Sequence, residues 1–282
     1  MPVPVFFDSR QSAKTESFSP SSSKPALVVE RWLKPKLDIE VRGFEPASEA
    51  DLCLAHDPAY VRGVLACETP NGFSNTAPEV AAALPWTTGS MVAAALHVGE
   101  AAKRGEPAVA CSPTSGFHHA HYSWAHGYCT FNGLIVAARK LIAAGLKPGI
   151  FDCDFHFGDG TDQIIEHLVL DEIEHWSAGL VYRRRHSAAA MLDAIDDMLE
   201  QMARRGVKVV LYQAGADQHV DDPLGGLLGT TEMKARDAMV FDRCRQLGMN
   251  VAWNLAGGYQ TPIEKVIKLH TNTMKECINV FC

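Results

Sequence analysis

Apolar and polar positions along the chain follow two alternating patterns. Five short apolar runs have the length and the β-branched or aromatic content of buried strands, and they cover 3–7, 108–111, 149–153, 207–213 and 250–255. Longer segments repeat apolar side chains at the spacing of one helix face, as Met191, Ile195 and Leu199 do within 187–205. Strands that alternate with helices predict an α/β fold with a mainly parallel sheet and helices on both of its faces.

Further helices complete this prediction. The helical period recurs in 87–104, 134–142 and 230–248. In the last of these, Thr230 or Thr231 is the expected N-cap and Gly248 the expected end. Residues 17–25 are predicted to be a surface loop before a helix. Because no linker, repeat or low-complexity segment is long enough to divide the chain, residues 1–282 are predicted to form a single domain.

Polar clusters begin where four of the predicted strands end. Their sequences are SPTSGFHH, DCDFHFGDG, QAGADQHVDDPLGG and AGGYQ, in chain order. In parallel α/β sheets, ligands bind at the carboxyl ends of the strands, in the loops that lead into the next helix. We therefore expect these four clusters to lie together on one face of the molecule.

The stretch FDCDFHFGDG contains the residues of a candidate metal site. Asp154 and His156 are two positions apart, so extended backbone places both side chains on the same side. Asp217, after another predicted strand, is the best-placed third ligand. An acidic surface loop is the commoner explanation for such a stretch, but a ligand set without cysteine is typical of an open, catalytic zinc site. Oxygen-rich ligands would also accept iron(II), cobalt or manganese.

Two adjacent histidines are the candidate acid and base. A neutral imidazole near an ion can take a proton from water and later deliver it to a leaving nitrogen. His118 and His119 would each need a partner on the other ring nitrogen, and a carboxylate is a common choice. Asp152 and Asp159, which flank the candidate ligands, are therefore expected to orient the two histidines.

Composition and charge exclude several classes of partner. The chain has 282 residues with 33 acidic and 26 basic side chains, a net charge of −7, which gives no reason to expect nucleic acid or an anionic membrane as partner. The N-terminus lacks the features of a signal peptide, and no segment has the apolar length of a membrane span. The eight cysteines have no CxxC spacing, which argues against a zinc knuckle. We expect a cytoplasmic protein.

Several motifs, in order, resemble a known family. SGFHHA, HGYCTFNGLIVAARKL, FDCDFHFGDGTDQI, QAGADQHVDDPLGG and NLAGGY are similar to the zinc-dependent histone deacetylase superfamily, which includes acetylpolyamine amidohydrolases and acetoin utilisation proteins. The resemblance spans roughly residues 108–259, with a weaker echo in HDPAYV at 56–61. It implies the arginase-like α/β fold, and an acetyl-lysine or related acetylated amine as substrate.

The resemblance also implies roles for the candidate metal and histidine residues. Zinc would be bound by Asp154, His156 and Asp217. His119 would be the general base and acid, oriented by Asp159. His118 would be its electrostatic companion, paired with Asp152.

Further roles follow from the same resemblance. Tyr259 would donate to the amide carbonyl and to the developing oxyanion, and Gly127 and Tyr128 would line the narrow acyl-lysine channel. The backbone around 152–156 would supply oxygens to a structural potassium ion; its remaining ligands stay open, with Ser177 a weak candidate.

The chain also departs from the family pattern. The Arg-Pro-Pro-Gly lead into the two histidines is replaced by residues 112–117. The segment 166–187 lacks the glycine- and proline-rich loop that forms one wall of the channel in relatives. We therefore expect a more open mouth, unless a second copy of the chain covers it in a homo-oligomer.

Three alternatives stay open on the sequence. The substrate is either protein acetyl-lysine or a small acetylated amine such as a polyamine or a biosynthetic intermediate. The same fold also carries ureohydrolases with paired manganese, but these need carboxylates that His118 and His119 displace. A non-catalytic binding protein descended from the enzyme is the third alternative, and the intact Tyr259 argues against it.

Overall fold

The computed structural model describes residues 1–15, 17–34 and 37–282. One sheet of seven strands forms its centre, in the order β2-β1-β3-β7-β6-β4-β5, and every pairing is parallel. The strands are β1 (Val3–Phe6), β2 (Ile39–Arg42), β3 (Val109–Ser112), β4 (Pro148–Asp152), β5 (Glu174–Ser177), β6 (Val209–Gln213) and β7 (Asn250–Asn254). The predicted α/β class with a mainly parallel sheet is confirmed.

Ten α-helices surround the sheet in the described residues. They are α1 (Lys24–Leu33), α2 (Glu49–Leu52), α3 (Pro58–Leu65), α4 (Pro78–Lys103), α5 (Gly133–Ala143), α6 (Asp159–Leu168), α7 (Ala178–Val181), α8 (Ala188–Arg204), α9 (Thr230–Gln246) and α10 (Glu264–Phe281). Among them, α1, α8, α9 and α10 contribute to one buried apolar cluster, and α4, α5 and α6 contribute to a second. Both faces of the sheet are therefore covered, which explains why every residue of its central strands β3, β4, β6 and β7 is buried.

The two strands that the sequence pattern missed lie at the edges of the sheet. β2 is largely exposed, and only Ser177 of β5 is fully buried. Edge strands are often short and carry charged side chains, so they lack the continuous apolar run that marks a central strand. The five predicted strands are all present, with ends that differ by one or two residues.

Three local predictions were wrong. Helix α4 begins at Pro78, nine residues before its predicted start, and continues through Pro85. Burial of Val80, Ala83 and Leu84 against the α3 region offsets the usual cost of an internal proline, about 3 kcal/mol. The N-cap of α9 is Gly229, whose N–H donates to the Glu232 carboxylate at 2.6 Å.

The third wrong prediction concerns 17–25, which is not simply a surface loop. Ser19, Ser21 and Lys24 are all buried, and the two serine hydroxyls lie 2.7 Å apart. A short 3-10 turn over Pro20–Ser22 leads directly into α1. The polar composition hid this burial, because the two serine hydroxyls satisfy each other and the Lys24 amine donates to a carbonyl 232 residues away, at Ala256.

The order of the strands brings the expected polar clusters together. β3, β7, β6 and β4 are consecutive neighbours in the sheet, and they are the four strands whose ends carry those clusters. Parallel strands end at the same edge, so the four loops that follow meet above the centre of the sheet.

Candidate active site

Two buried carboxylates and one imidazole form the predicted metal site. His156 Nδ1 lies 3.2 Å from Asp154 Oδ1 and 3.0 Å from Asp217 Oδ2. The remaining carboxylate oxygens are held by the backbone: Gly257 N–H donates to Asp154 Oδ2 at 2.8 Å, and Phe155 N–H donates to Asp217 Oδ1 at 3.1 Å. One oxygen or nitrogen of each side chain lies within 4.8 Å of the others, close enough for all three to bind one ion.

The charges in this cluster fit a cation. Burial and the neighbouring charge of Asp154 raise the pKa of Asp217 to about 7. Burial alone would lower the pKa of His156, but the two carboxylates outweigh it and raise that pKa to about 11. Two buried carboxylates are costly unless positive charge lies between them. An ion held by Asp154, His156 and Asp217 would supply that charge, and the one-third exposed His156 side chain leaves an open side.

The two adjacent histidines each contact one of the flanking carboxylates. His118 Nδ1 donates to Asp152 Oδ2 at 2.7 Å, and His119 Nδ1 donates to Asp159 Oδ1 at 2.6 Å. The two imidazole rings lie 4.0 Å apart between centroids. In each ring Nδ1 donates a hydrogen bond to a carboxylate, so the Nε2 atom of the same ring faces away from that carboxylate.

The surroundings shift the pKa values of His118 and His119 in opposite directions. Burial would lower the pKa of His118, but Asp152 and Asp154 raise it to about 9. Burial and the charge of His118 lower the pKa of His119 to about 4, despite its contact with Asp159. These surroundings therefore favour the charged form of His118 and the neutral form of His119. Pairs of titratable groups with separated pKa values are typical of acid and base sites.

Tyr259 and Tyr128 pack against each other, and Tyr259 is close enough to Asp217 and Asp154 to feel their charges. Their ring centroids are 5.8 Å apart, and the Tyr259 N–H donates to Asp222 Oδ2 at 2.7 Å. Burial and the charges of Asp217 and Asp154 raise the pKa of Tyr259 well above its ordinary value, so its phenol stays protonated and can donate. Phe73 packs on the other ring, Tyr128, at 5.6 Å.

Gly127 is placed where no side chain fits. Its φ of +56° is in the left-handed region, and Tyr128 has a φ of +64°. A Cβ on Gly127 would lie 2.5 Å from His119 Cδ2. Glycine is required here for both the turn and the close approach to the imidazole.

Gly127→Ala is expected to lower turnover about 100-fold, because it displaces His119 from its position and a shift near 1 Å costs on that order. Gly105→Ala is the matched control, since it has a φ of +69° with nothing within 4 Å of a new Cβ. Steady-state kinetics and bound-metal content should be measured for both. Equal turnover in the two variants would contradict the proposed effect on His119.

Three residues at the site were missed by the sequence reasoning. Lys24 is fully buried, and its amine donates to the Ala256 carbonyl, three residues before Tyr259. Burial lowers the pKa of Lys24 to about 8. His121 and His126 surround Asp159 together with His119. The sequence signal for the two histidines was the pattern HHAHYSWAH, in which four histidines fall within nine residues.

The segment expected to leave the mouth open is short in the structure. After β5 it makes the single turn α7, in which Leu180 is 58% and Val181 65% exposed. Gly179 packs so closely on the His156 backbone that a Cβ would overlap it. Residues 183–186 are exposed and basic. A thin apolar and basic edge therefore borders the His156 side of the site.

None of the described helices has the character of a membrane span. Among residues 1–15, 17–34 and 37–282, no helix combines the length and hydropathy needed to cross a bilayer.

Comparisons with known proteins agree with this geometry. A family model described as "Histone deacetylase domain" matches residues 21–173. An uncharacterised protein of Picosynechococcus sp. is 28% identical over 242 residues, covering 77% of this chain and 78% of that protein. An acetylpolyamine amidohydrolase of Burkholderia pseudomallei is 27% identical over 207 residues, covering 62% of this chain and 59% of that protein. The match thus spans less than two thirds of the second relative.

A solved structure supports the fold over nearly the whole chain. The crystal structure of the HDA15 HD domain superposes with a TM-score of 0.77 at 21% identity, covering 98% of this chain and 91% of that one. The family model ends at residue 173, before Asp217 and Tyr259. In the structure both residues lie beside the part of the site that the family model covers. Because that model matches more than half of the sequence, the chain belongs to the histone deacetylase family.

Proposed function

We propose that the protein is a metal-dependent amidohydrolase that removes an acetyl or related acyl group from a primary amine. The observation that carries this proposal is one cluster: a cation site of Asp154, His156 and Asp217 beside two carboxylate-paired histidines. The His119 and His156 rings lie 5.8 Å apart between centroids, so the base and the cation site are neighbours. Family membership supports the same chemistry.

The cation is proposed to be zinc, with iron(II) or cobalt as the other candidates. Bound by Asp154, His156 and Asp217, it would polarise the amide carbonyl and make water more acidic. The resemblance also implies potassium near 152–156; there Ser177 is buried, and its hydroxyl accepts from Gly158 N–H at 3.1 Å. Ser177 pairs with Asp152 in the β4–β5 register, so its hydroxyl adds a further oxygen beside Asp152.

Different side chains would carry out the proton transfers and stabilise the negative charge. Neutral His119 takes a proton from the attacking water through Nε2, while its Nδ1 proton stays on the Asp159 side. His118, held by its hydrogen bond to Asp152, would stabilise the negative charge that develops next to it. Tyr259 donates its phenol proton in a hydrogen bond to the carbonyl oxygen as that oxygen becomes negative. His119 then returns its proton to the leaving amine.

The channel residues would select the acyl chain. Gly127 and Tyr128 are proposed to line the path of the acylated amine, with Tyr128 between Phe73 and Tyr259. The amine itself is either a lysine of a protein or a small molecule. The family description names histone deacetylase, and the Burkholderia relative is named for acetylated polyamines, so both substrate classes are represented among similar proteins.

A substrate panel tests the proposal. An acetyl-lysine peptide, free acetyl-lysine and a monoacetylated diamine should be assayed with protein loaded with zinc, iron(II) or cobalt. We expect release of free amine from at least one of them, loss of that activity on chelation, and its return with added metal. The substrate with the highest kcat/KM identifies the class.

Two outcomes would contradict the proposal. Zinc-loaded protein that hydrolyses no acylated amine would favour the non-catalytic alternative. Hydrolysis of a guanidinium substrate with manganese would favour ureohydrolase chemistry instead.

A further inference from the structure

A second group of metal-binding side chains surrounds Asp159. Its Oδ1 accepts from His119 Nδ1 at 2.6 Å, and its Oδ2 lies 3.1 Å from His126 Nε2 and 3.5 Å from His121 Nε2. Three imidazoles therefore share one carboxylate. One donor atom each from His119, His126 and Asp159 lies within 4.8 Å of the others, which is the compactness that an ion needs.

His121 shows that this cluster is not fully satisfied by its own hydrogen bonds. Its exposure is 7%, and within residues 1–15, 17–34 and 37–282 neither of its ring nitrogens makes a hydrogen bond; Asp159 Oδ2 lies 3.5 Å from Nε2. Buried imidazole nitrogens without a partner are costly. An ion at the cluster, directly or through a bound water, would give them one.

The local backbone fixes these rings in place. Ala120 and Ala125 pair across a tight turn, and the Trp124 ring stacks on His121 with 3.9 Å between centroids and 12° between planes. Trp124 also stacks on His126 at 5.2 Å. The indole covers the cluster on its outer side, and the 41% exposed His126 side chain leaves a path for an ion from solvent.

We propose that His119, His126 and Asp159, with His121 beside them, form a second divalent-cation site that inhibits the enzyme. Three imidazoles and one carboxylate are ligands that suit zinc. An ion there would release the protons now shared between the rings and Asp159. It would also take His119 and Asp159 out of the pair that activates water. Binding at this site is independent of the reaction, whereas inhibition rests on the proposed function.

Zinc stoichiometry tests the site directly. The full chain should be dialysed against increasing free zinc, and bound zinc measured by elemental analysis. We expect two ions per chain, the second bound more weakly. His126→Ala should bind the second ion about 100-fold more weakly, the upper range for losing a group that supports a metal. Asp217→Asn should weaken the other ion and keep the second.

His186→Ala is the matched control, because His186 is an exposed histidine on a different segment. It should bind two ions as the natural chain does, and circular dichroism should show that every variant is folded. A natural chain that binds one zinc at all concentrations would overturn the proposal. So would a His126→Ala variant that binds the second ion unchanged.

Activity measurements separate the two proposals. Turnover of the best substrate should fall as the second zinc binds, and the inhibitory zinc concentration should rise about 100-fold in His126→Ala. Two bound ions in a chain without amidohydrolase activity would support the second site and contradict the proposed function. Full activity with both ions bound would overturn the inhibitory role.

Discussion

Asp217→Asn is expected to bind the catalytic metal more than about 100-fold more weakly and to lose nearly all amidohydrolase activity. Even a change in an outer partner of a metal ligand costs about 10–100-fold in affinity, and this change removes a charged ligand. The amide keeps an oxygen that can accept from Phe155 N–H, the contact seen at 3.1 Å. A loss of metal can therefore be distinguished from a loss of fold. Zinc affinity should be measured by dialysis against a competing chelator.

Asp221→Asn is the matched control, since Asp221 lies four residues later in the same loop and its side chain is 67% exposed. Its zinc affinity and activity should equal those of the natural chain. Undiminished zinc affinity in Asp217→Asn would refute its assignment as a ligand. Asp154→Ala tests the other carboxylate in the same way, and this variant should also lose the metal.

Tyr259→Phe is expected to lose about 10²–10³ in kcat, the usual cost of removing one donor to a developing oxyanion. The phenolic hydroxyl is the only group removed, and the backbone contact of residue 259 with Asp222 remains. Zinc content should therefore stay unchanged. Single-turnover kinetics and elemental analysis on the same preparation would establish both values.

Tyr122→Phe serves as the control for this variant, because its ring packs on His167 at 4.2 Å, on helix α6. It should keep its kcat. If Tyr259→Phe also kept its kcat, the donor role would be wrong. If it lost zinc in parallel with activity, the effect would be on the metal site rather than on the oxyanion.

The central strands and their polar ends could be predicted from the sequence because burial on both faces leaves a continuous apolar run. The run before Asp152 and the run before Gln213 are examples, and each is fully buried. The edge strand Glu174–Ser177 has no such run, since only its last residue is fully buried. The periodicity of α4 was interrupted by Pro85, a local signal that tertiary packing overrode.

The candidate site could be predicted where the spacing of two residues within one loop determines the side to which their side chains point. Asp154 and His156 share a side of extended backbone, and the structure places both against Asp217. Lys24 had no such signal, because its partner carbonyl at Ala256 is 232 residues away. His121 and His126 were visible as residue types, but only the turn between them shows that both face Asp159. Their roles in metal binding and catalysis stay predictions for the experiments above.

The place of β7 in the sheet has a consequence for how the protein forms during synthesis. β7 comes last in sequence among the seven strands of the described residues, yet it lies between β3 and β6 at the centre. Until residues 250–254 have left the ribosome, two strands that will become neighbours of β7 present unpaired edges, and such edges favour association with other chains. Gly257 N–H, which holds Asp154, emerges later still. The nascent chain therefore depends on residues 250–257 before either its sheet or its candidate cation site is complete.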